Sequence, residues 1–426
     1  MGFHMEFSYK GIDALDIPEG YRLCVIEPNE VSSNQVTEQK LVADCLAHPL
    51  GTKRLREEVA GCQNVLILAD DYTRLTPAHI ILPALIDELV AGNIAIENIK
   101  VLVASGTHRA MTPAEKLTKY GKVVLERVKV LDHVAQDKSC LTHMGVTTKG
   151  TEISINTLML QADYVIGVGH IVPHRVAGFS GGAKIVQPGV CGEVTTGQTH
   201  WLSAKGVLGK DIMGMEDNPV RREINEVGLR AGLRFIFNTV QAGDGSLHAC
   251  FCGDPLQAFS AGCTVAREVY GCRIDELVDI AIVDAYPSHV NMWQAAKGVF
   301  AGDLALKEDG ILILVAALSE GIANEHPEVE ILGYADPDGI EQLVAAGKLT
   351  DLTIAAHILH VGKVITGRRK ALLVSTGLTK ERTERIGFRW ARNVNDALAE
   401  ALAEKGPHAT IAVVKHGGEV MPMLSL

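Results

Sequence analysis

The sequence predicts an α/β protein built as two α/β domains with mostly parallel sheets, and three observations predict it. Short apolar runs alternate with amphipathic segments along most of the chain, the pattern of strands feeding helices. Three of those runs end in polar clusters of one character: D-D-Y-T-R after residues 64–69, S-G-T-H-R after 100–104, and G-H-I-V-P-H-R after 164–168. A fresh α/β unit then begins at residue 278, behind a boundary placed near 268–277. In a parallel sheet ligands sit beyond the carboxyl ends of the strands, so the clusters should converge on one crevice.

Taken in order, residues 1–50 read as an irregular or short-stranded lead-in followed by a helix near 36–47. The run N-V-L-I-L-A (64–69) is a buried strand, and a helix over 78–91 follows it, with Ile81, Leu85 and Leu89 four apart and Gly92 as its stop. After the strand at 100–104, Thr112-Pro113 opens a further helix with a cap residue and a proline in the first turn. Residues 233–240 read as a strand, 255–270 as a helix, and 271–273 as the start of a connection. The second unit follows as strand 279–284, polar turn 285–291, helix 292–301, strand 310–316, helix 351–361, strand 370–375, helix 394–404 and strand 410–415. We divide the chain into a first domain over residues 1–272, a second over 273–410, and a tail over 411–426 expected to pack back on the first domain.

Composition excludes several function classes. Hydrophobic residues make up 47% of the 426 positions, enough for a packed core. The formal charge is −11 and no dense Lys/Arg stripe carries interleaved aromatics, so no nucleic-acid partner is expected. No run of about 18 apolar residues is free of charge or punctuation, and the first residues lack the order of a signal peptide. The expectation is a soluble cytoplasmic protein without a membrane partner. The nine cysteines are scattered, odd in number and free of any C-x-x-C pair, which fits reduced structural thiols better than a zinc or iron–sulfur site.

The chemistry gathers in residues 167–190, G-V-G-H-I-V-P-H-R-V-A-G-F-S-G-G-A-K-I-V-Q-P-G-V. Their glycines and prolines argue against both a regular helix and a regular strand. The run G-F-S-G-G-A-K fails the Walker pattern, because Ala183 stands where glycine should precede the lysine and Ile185 replaces the Ser or Thr. No dinucleotide fingerprint follows a strand either. Lys184 therefore reads as a covalent attachment point, a Schiff-base lysine or a plain surface lysine. His108, His170 and His174 follow strand ends and His200 lies shortly downstream, and four imidazoles near one crevice suit acid/base groups, metal ligands or both. The turn Asp70-Asp71-Tyr72-Thr73-Arg74 is ordinary cap chemistry unless the arginine holds a carboxylate or phosphate at the rim. Gln294 and Lys297, three apart, share a helix face and could reach an anion across a cleft or simply face solvent.

The motifs D-D-Y-T-R-L-T-P (70–77), S-G-T-H-R-A-M-T (105–112), G-H-I-V-P-H-R-V-A-G-F-S-G-G-A-K-I-V-Q-P-G-V (169–190), Q-T-H-W (198–201) and Q-A-A-K (294–297) together resemble the nickel-pincer lactate racemase family, over the chain from about residue 15 to its end. The resemblance implies two α/β domains with the active site in the cleft between them. It implies a cofactor, the nickel-pincer nucleotide (a pyridinium-3-thioamide-5-thiocarboxylic acid mononucleotide), covalently bound to Lys184, with nickel ligated by His200. His108 and His174 would be the acid/base pair, one per substrate face. Asp71, Tyr72, Thr73 and Arg74 from the first turn, and Gln294 and Lys297 from the second domain, would contact cofactor or substrate. The implied reaction is racemisation of lactate or a related 2-hydroxy acid, by hydride transfer from C2, with cofactor-synthesis enzymes as partners. Hydride removal avoids the carbanion that proton abstraction beside an ionised carboxylate would demand.

Two places depart from the family pattern: Trp293 stands where an aromatic hydroxyl is expected before the glutamine, and His357 and His360 occupy a wall expected to bear tryptophan. Family members also act on larger aliphatic, aromatic, dicarboxylic and sugar 2-hydroxy acids. A metal-dependent hydrolase or lyase using the same histidines is the alternative to the racemase. Neither the oligomeric state nor roles for His170, His357 and His360 follow from the sequence.

Overall fold

The computed structural model describes residues 2–32, 36–206, 212–366 and 370–425. Among them the chain forms two six-stranded sheets and four two-stranded ribbons. The first large sheet runs in the order Leu247–Gly253, Leu233–Gln241, Tyr164–His170, Val65–Asp70, Ile99–Ala104, Lys129–Asp132. All its neighbours are parallel except the hairpin that joins the first two. The second runs Arg389–Trp390, Lys370–Val374, Leu306–Val315, Val278–Asp284, Thr410–Val414, Arg22–Ile26 and is parallel throughout.

Each sheet is apolar on both faces, as a parallel sheet covered by helices must be. In V-L-I-L-A-D every residue is buried, and the two-residue period sends Leu66 and Leu68 to one core and Val65, Ile67 and Ala69 to another. Ala281 and Val283 face one core of the second sheet, while Ile280 and Ile282 face its other. The helix Ala78–Ala91 has the predicted limits and buries Ile81, Leu85 and Leu89. Thr112 caps Pro113–Arg127 through a full capping box with Glu115.

The sheets redraw the expected domain limits. The strand Arg22–Ile26, placed by sequence in the first domain, lies at the edge of the second sheet beside Thr410–Val414. Thr410–Val414 is in turn an inner strand of that sheet, with Val278–Asp284 on its other side, and so belongs to no tail. The last strand, Met421–Leu424, pairs in parallel with Gly271–Ile274, a strand where only a connection was expected. The reason is pairing: these short runs satisfy their backbone groups against partners distant in sequence. The tail nonetheless reaches the first domain, where Gly214 leaves room for Met421.

Residues 167–190 also differ from expectation. The strand Tyr164–His170 runs on through Gly167 and Gly169 and is buried along its length. Beyond it Pro173–His174 and Gly178–Phe179 form a minimal antiparallel pair, and Gly182–Ile185 a turn of 3₁₀ helix. Gly178 has φ +78°, and a Cβ there would lie 1.8 Å from the Met215 carbonyl oxygen, so no other residue fits.

Candidate active site

The carboxyl ends of three strands of the first sheet face the second domain across a cleft holding about 1360 Å³ of empty space, its open mouth included. Asp71 and Arg74 enter it from the turn after Val65–Asp70, His108 from the loop after Ile99–Ala104, and His174 and Lys184 from beyond Tyr164–His170. His200 arrives on the helix Glu193–Gly206. From the second domain the helix Met292–Ala305, capped by Asn291, supplies Gln294 and Lys297. The convergence expected of the strand-end clusters is present.

His108 is held at both ring nitrogens. Its Nδ1–H donates to Asp71 Oδ2 at 2.7 Å, and its Nε2 accepts from the Gln294 side-chain amide at 2.9 Å. The network assigns the tautomer with a basic Nε2. Asp71 is buried, which alone would raise its carboxyl, but the His108 charge and hydrogen bond, Arg74 and Thr73 hold it well below the usual range. Thr73 donates its backbone N–H and hydroxyl to Asp71 Oδ1, at 3.0 and 2.5 Å, and its hydroxyl accepts from Arg74 at 2.8 Å. Gln294 Oε1 accepts from Lys297 at 2.9 Å and from Arg74 at 3.5 Å, so one amide links three functional side chains across the domains.

His174 is set differently. Its Nδ1 accepts the Val176 backbone N–H at 3.1 Å, so the neutral ring carries its proton on Nε2. Burial and the cations Lys184, Lys297 and Arg74 push its pKa far down. Lys184 is half-buried, and desolvation followed by Arg74 and Arg221 lowers its amine to about 7. His200 donates Nδ1–H to the Thr196 carbonyl at 2.8 Å, which leaves the Nε2 lone pair free, and burial keeps that ring neutral down to about pH 4. Lys297 donates to Ser288 at 3.2 Å besides Gln294, and burial lowers it strongly.

Of the remaining sequence-predicted residues, Tyr72 does not face the cleft: its hydroxyl donates to Glu320 at 3.4 Å, with the Arg109 guanidinium 4.2 Å over its ring. Thr73 orients Asp71 and Arg74. His170 lines the cleft as well, its Nδ1–H donating to Thr76 at 3.2 Å while Thr76 donates to Asp70. Sequence reasoning missed Arg175 and Asp303, a buried pair at 3.4 Å that ties the loop beside His174 to the helix bearing Lys297. The available signals were an arginine in an apolar Gly/Pro run and the one carboxylate of the helix Met292–Ala305.

The chain matches a family model described as the lactate racemase N-terminal domain over residues 9–207 and one described as the lactate racemase C-terminal domain over residues 275–421. It is 28% identical over 419 residues to a lactate racemase of Lactiplantibacillus plantarum, covering 97% of each chain. To a lactate racemase of Thermoanaerobacterium thermosaccharolyticum it is 28% identical over 420 residues, covering 96% of each. The solved apoprotein structure of a lactate racemase from that organism superposes with a TM-score of 0.83 at 26% identity, over 99% of this chain and 100% of the other. A Thermotoga maritima protein shares the fold, with a TM-score of 0.75 at 21% identity over 93% of this chain and 100% of the other.

Proposed function

We propose, from the premise that the chain belongs to the lactate racemase family and is a racemase, that it inverts C2 of a 2-hydroxy acid by hydride transfer, with a nickel-pincer nucleotide anchored on Lys184 and ligated through His200. The observation that carries the reading is Lys184, a half-buried amine lowered to about 7 on a glycine-rich turn that lines the cleft with His108, His174 and His200. An amine of that kind is unprotonated often enough near neutrality to be acylated, and acylation removes a charge that the site accommodates poorly.

The donor set suits the cofactor. His200 offers Nε2 with its tautomer fixed from the other side, the arrangement a metal-binding imidazole needs. Arg74 and Lys297, bonded in the free protein to neutral oxygens of Thr73, Gln294 and Ser288, offer positive charge to a phosphate and a substrate carboxylate. When bound, the pyridinium ring supplies the hydride acceptor.

The chain's own residues move the proton. A substrate hydroxyl on the His108 side displaces the Gln294 amide from Nε2 and gives its proton there, while Asp71 stabilises the imidazolium that forms. The planar keto acid presents either face to the returning hydride, and His174 returns a proton from Nε2 on the other side; the charged ring carries hydrogens on both nitrogens, so Nδ1 gives up the Val176 N–H to hold the second. The balance requires the pair to hold one proton more than two neutral rings, and that proton changes sides at each turnover. His174 becomes able to take it as acylation discharges Lys184 and bound anions offset Arg74 and Lys297, the charges that depress it.

The test is production alongside cofactor-synthesis enzymes. Intact mass should show an adduct that Lys184→Ala lacks, and C2-deuterated substrate should keep most of its label in the product. Rapid loss of deuterium to water would overturn hydride transfer.

A further inference from the structure

One wall of the cleft has no task in moving the proton or holding the cofactor. The helix Leu352–Ile365 lends it Thr353, His357 and His360, spaced along a single helix face. The His357 ring stacks on Trp293 with centroids 4.1 Å apart and planes at 18°, and His326 lies 4.2 Å from the same indole. The stack fixes the imidazole in place before any ligand arrives.

Hydrogen-bond accounting assigns both tautomers. The Tyr334 hydroxyl lies 3.0 Å from His357 Nε2. That phenol is buried, and burial raises its pKa, so it keeps its proton. Accepting from His357 instead would leave the hydroxyl proton buried without an acceptor, so Tyr334 donates and His357 carries its hydrogen on Nδ1. His360 has the opposite wiring. Ser203 donates its only hydroxyl proton to the His200 carbonyl at 2.6 Å, so its oxygen accepts from His360 Nε2–H at 2.8 Å and Nδ1 is left as an acceptor. The nitrogens left to the cleft, three residues apart on one helix, are therefore one donor and one acceptor.

We propose, resting on the racemase reading, that His357 and His360 recognise a hydroxyl group carried by the substrate beyond C2. The preferred substrate class is then the polyhydroxylated 2-hydroxy acids rather than those with a plain alkyl chain or a second carboxylate. A hydroxyl both donates and accepts, which matches this wall. An alkyl chain would desolvate both nitrogens without replacing their hydrogen bonds. A second carboxylate only accepts, and would set its lone pairs against His360 Nδ1. Burial holds His357 neutral down to about pH 3 and His360 likewise far below its ordinary value, so the wall offers that carboxylate no cation.

The experiment measures kcat/KM of the cofactor-loaded enzyme on glycerate, lactate and malate. Glycerate should exceed both others by about tenfold, the worth of one or two ordinary hydrogen bonds, and His357→Phe should bring the glycerate-to-lactate ratio close to one. Lactate or malate turned over as well as glycerate would overturn the proposal and leave the racemase reading standing. Turnover of none of them, with the Lys184 adduct present, would overturn both. Ring-nitrogen NMR of the apoprotein, assigned with His357→Phe and His360→Phe, should place the protons on His357 Nδ1 and His360 Nε2, and the reverse tautomer on either ring would overturn the proposal independently of activity.

Discussion

His108 and His174 face one cleft, yet the protein prepares them by unlike means. His108 leans on a fixed carboxylate, Asp71, and receives a hydrogen bond from the opposite domain through Gln294. His174 has a backbone N–H on its inner nitrogen and three cations acting against its protonation. One side is set by hydrogen-bonded neighbours already in place in the free protein. The other is set by charges that the proposed acylation and bound anions would remove, so in that mechanism its readiness depends on loading. In the proposed mechanism both sides are needed, one set permanently and the other on demand.

The largest expected effect separates the two faces. In the loaded enzyme His108→Ala and His174→Ala should each abolish racemisation, by about 10³-fold or more, while each still oxidises one enantiomer in a single turnover, detected by trapping the keto acid. If both variants keep the same enantiomer, the two-sided arrangement is wrong. Asp71→Asn comes next: an amide can no longer stabilise the His108 imidazolium, and kcat/KM should fall about 10³-fold. The fall must be equal for the two enantiomers because their interconversion has an equilibrium constant of one; a loss under threefold would break the contrast between the histidines.

A smaller effect tests how His174 is set. Lys184→Met removes one of the cations depressing it, so its pKa, followed by NMR in the apoprotein, should rise. An unchanged value would show that Lys184 is not among the charges that set this ring.

The smallest is a stability effect with a defined sign. Lys184 binds a proton up to about pH 10.5 in the unfolded chain and only up to about 7 in the folded one. It therefore penalises folding fully below pH 7, and the penalty fades as pH climbs to 10.5. Urea unfolding should find the apoprotein of Lys184→Met more stable than the parent near pH 6.5, with the gap closing towards pH 10. A gap that is constant with pH would show that the amine is not depressed.

Local pattern revealed much of this and partner choice revealed little. The limits of Ala78–Ala91 and the Thr112 cap were legible because apolar spacing and capping are nearest-neighbour physics. The strand-end polar clusters were legible as a site for the same reason, since topology carries any strand end to the ligand side of a parallel sheet. The pairing of Arg22–Ile26 with Thr410–Val414 was not, because a five-residue alternation states which faces are apolar and nothing of which sheet it joins. Nor was the Gln294 bond to His108, nor the opposed wiring of His357 and His360, each of which depends on atoms from segments remote in sequence meeting at one point. Tyr72 shows the converse: a residue inside a functional motif serves the contact with Glu320 and Arg109.

The placement of Arg22–Ile26 has a consequence for the making of the protein. The strand leaves a ribosome long before the neighbour it pairs with, Thr410–Val414. The sheet between 65 and 253 can close on itself while synthesis continues, since all six of its strands lie within that span. The other sheet must wait with one edge already made and its place unfilled, and it closes only after Thr410–Val414 has emerged.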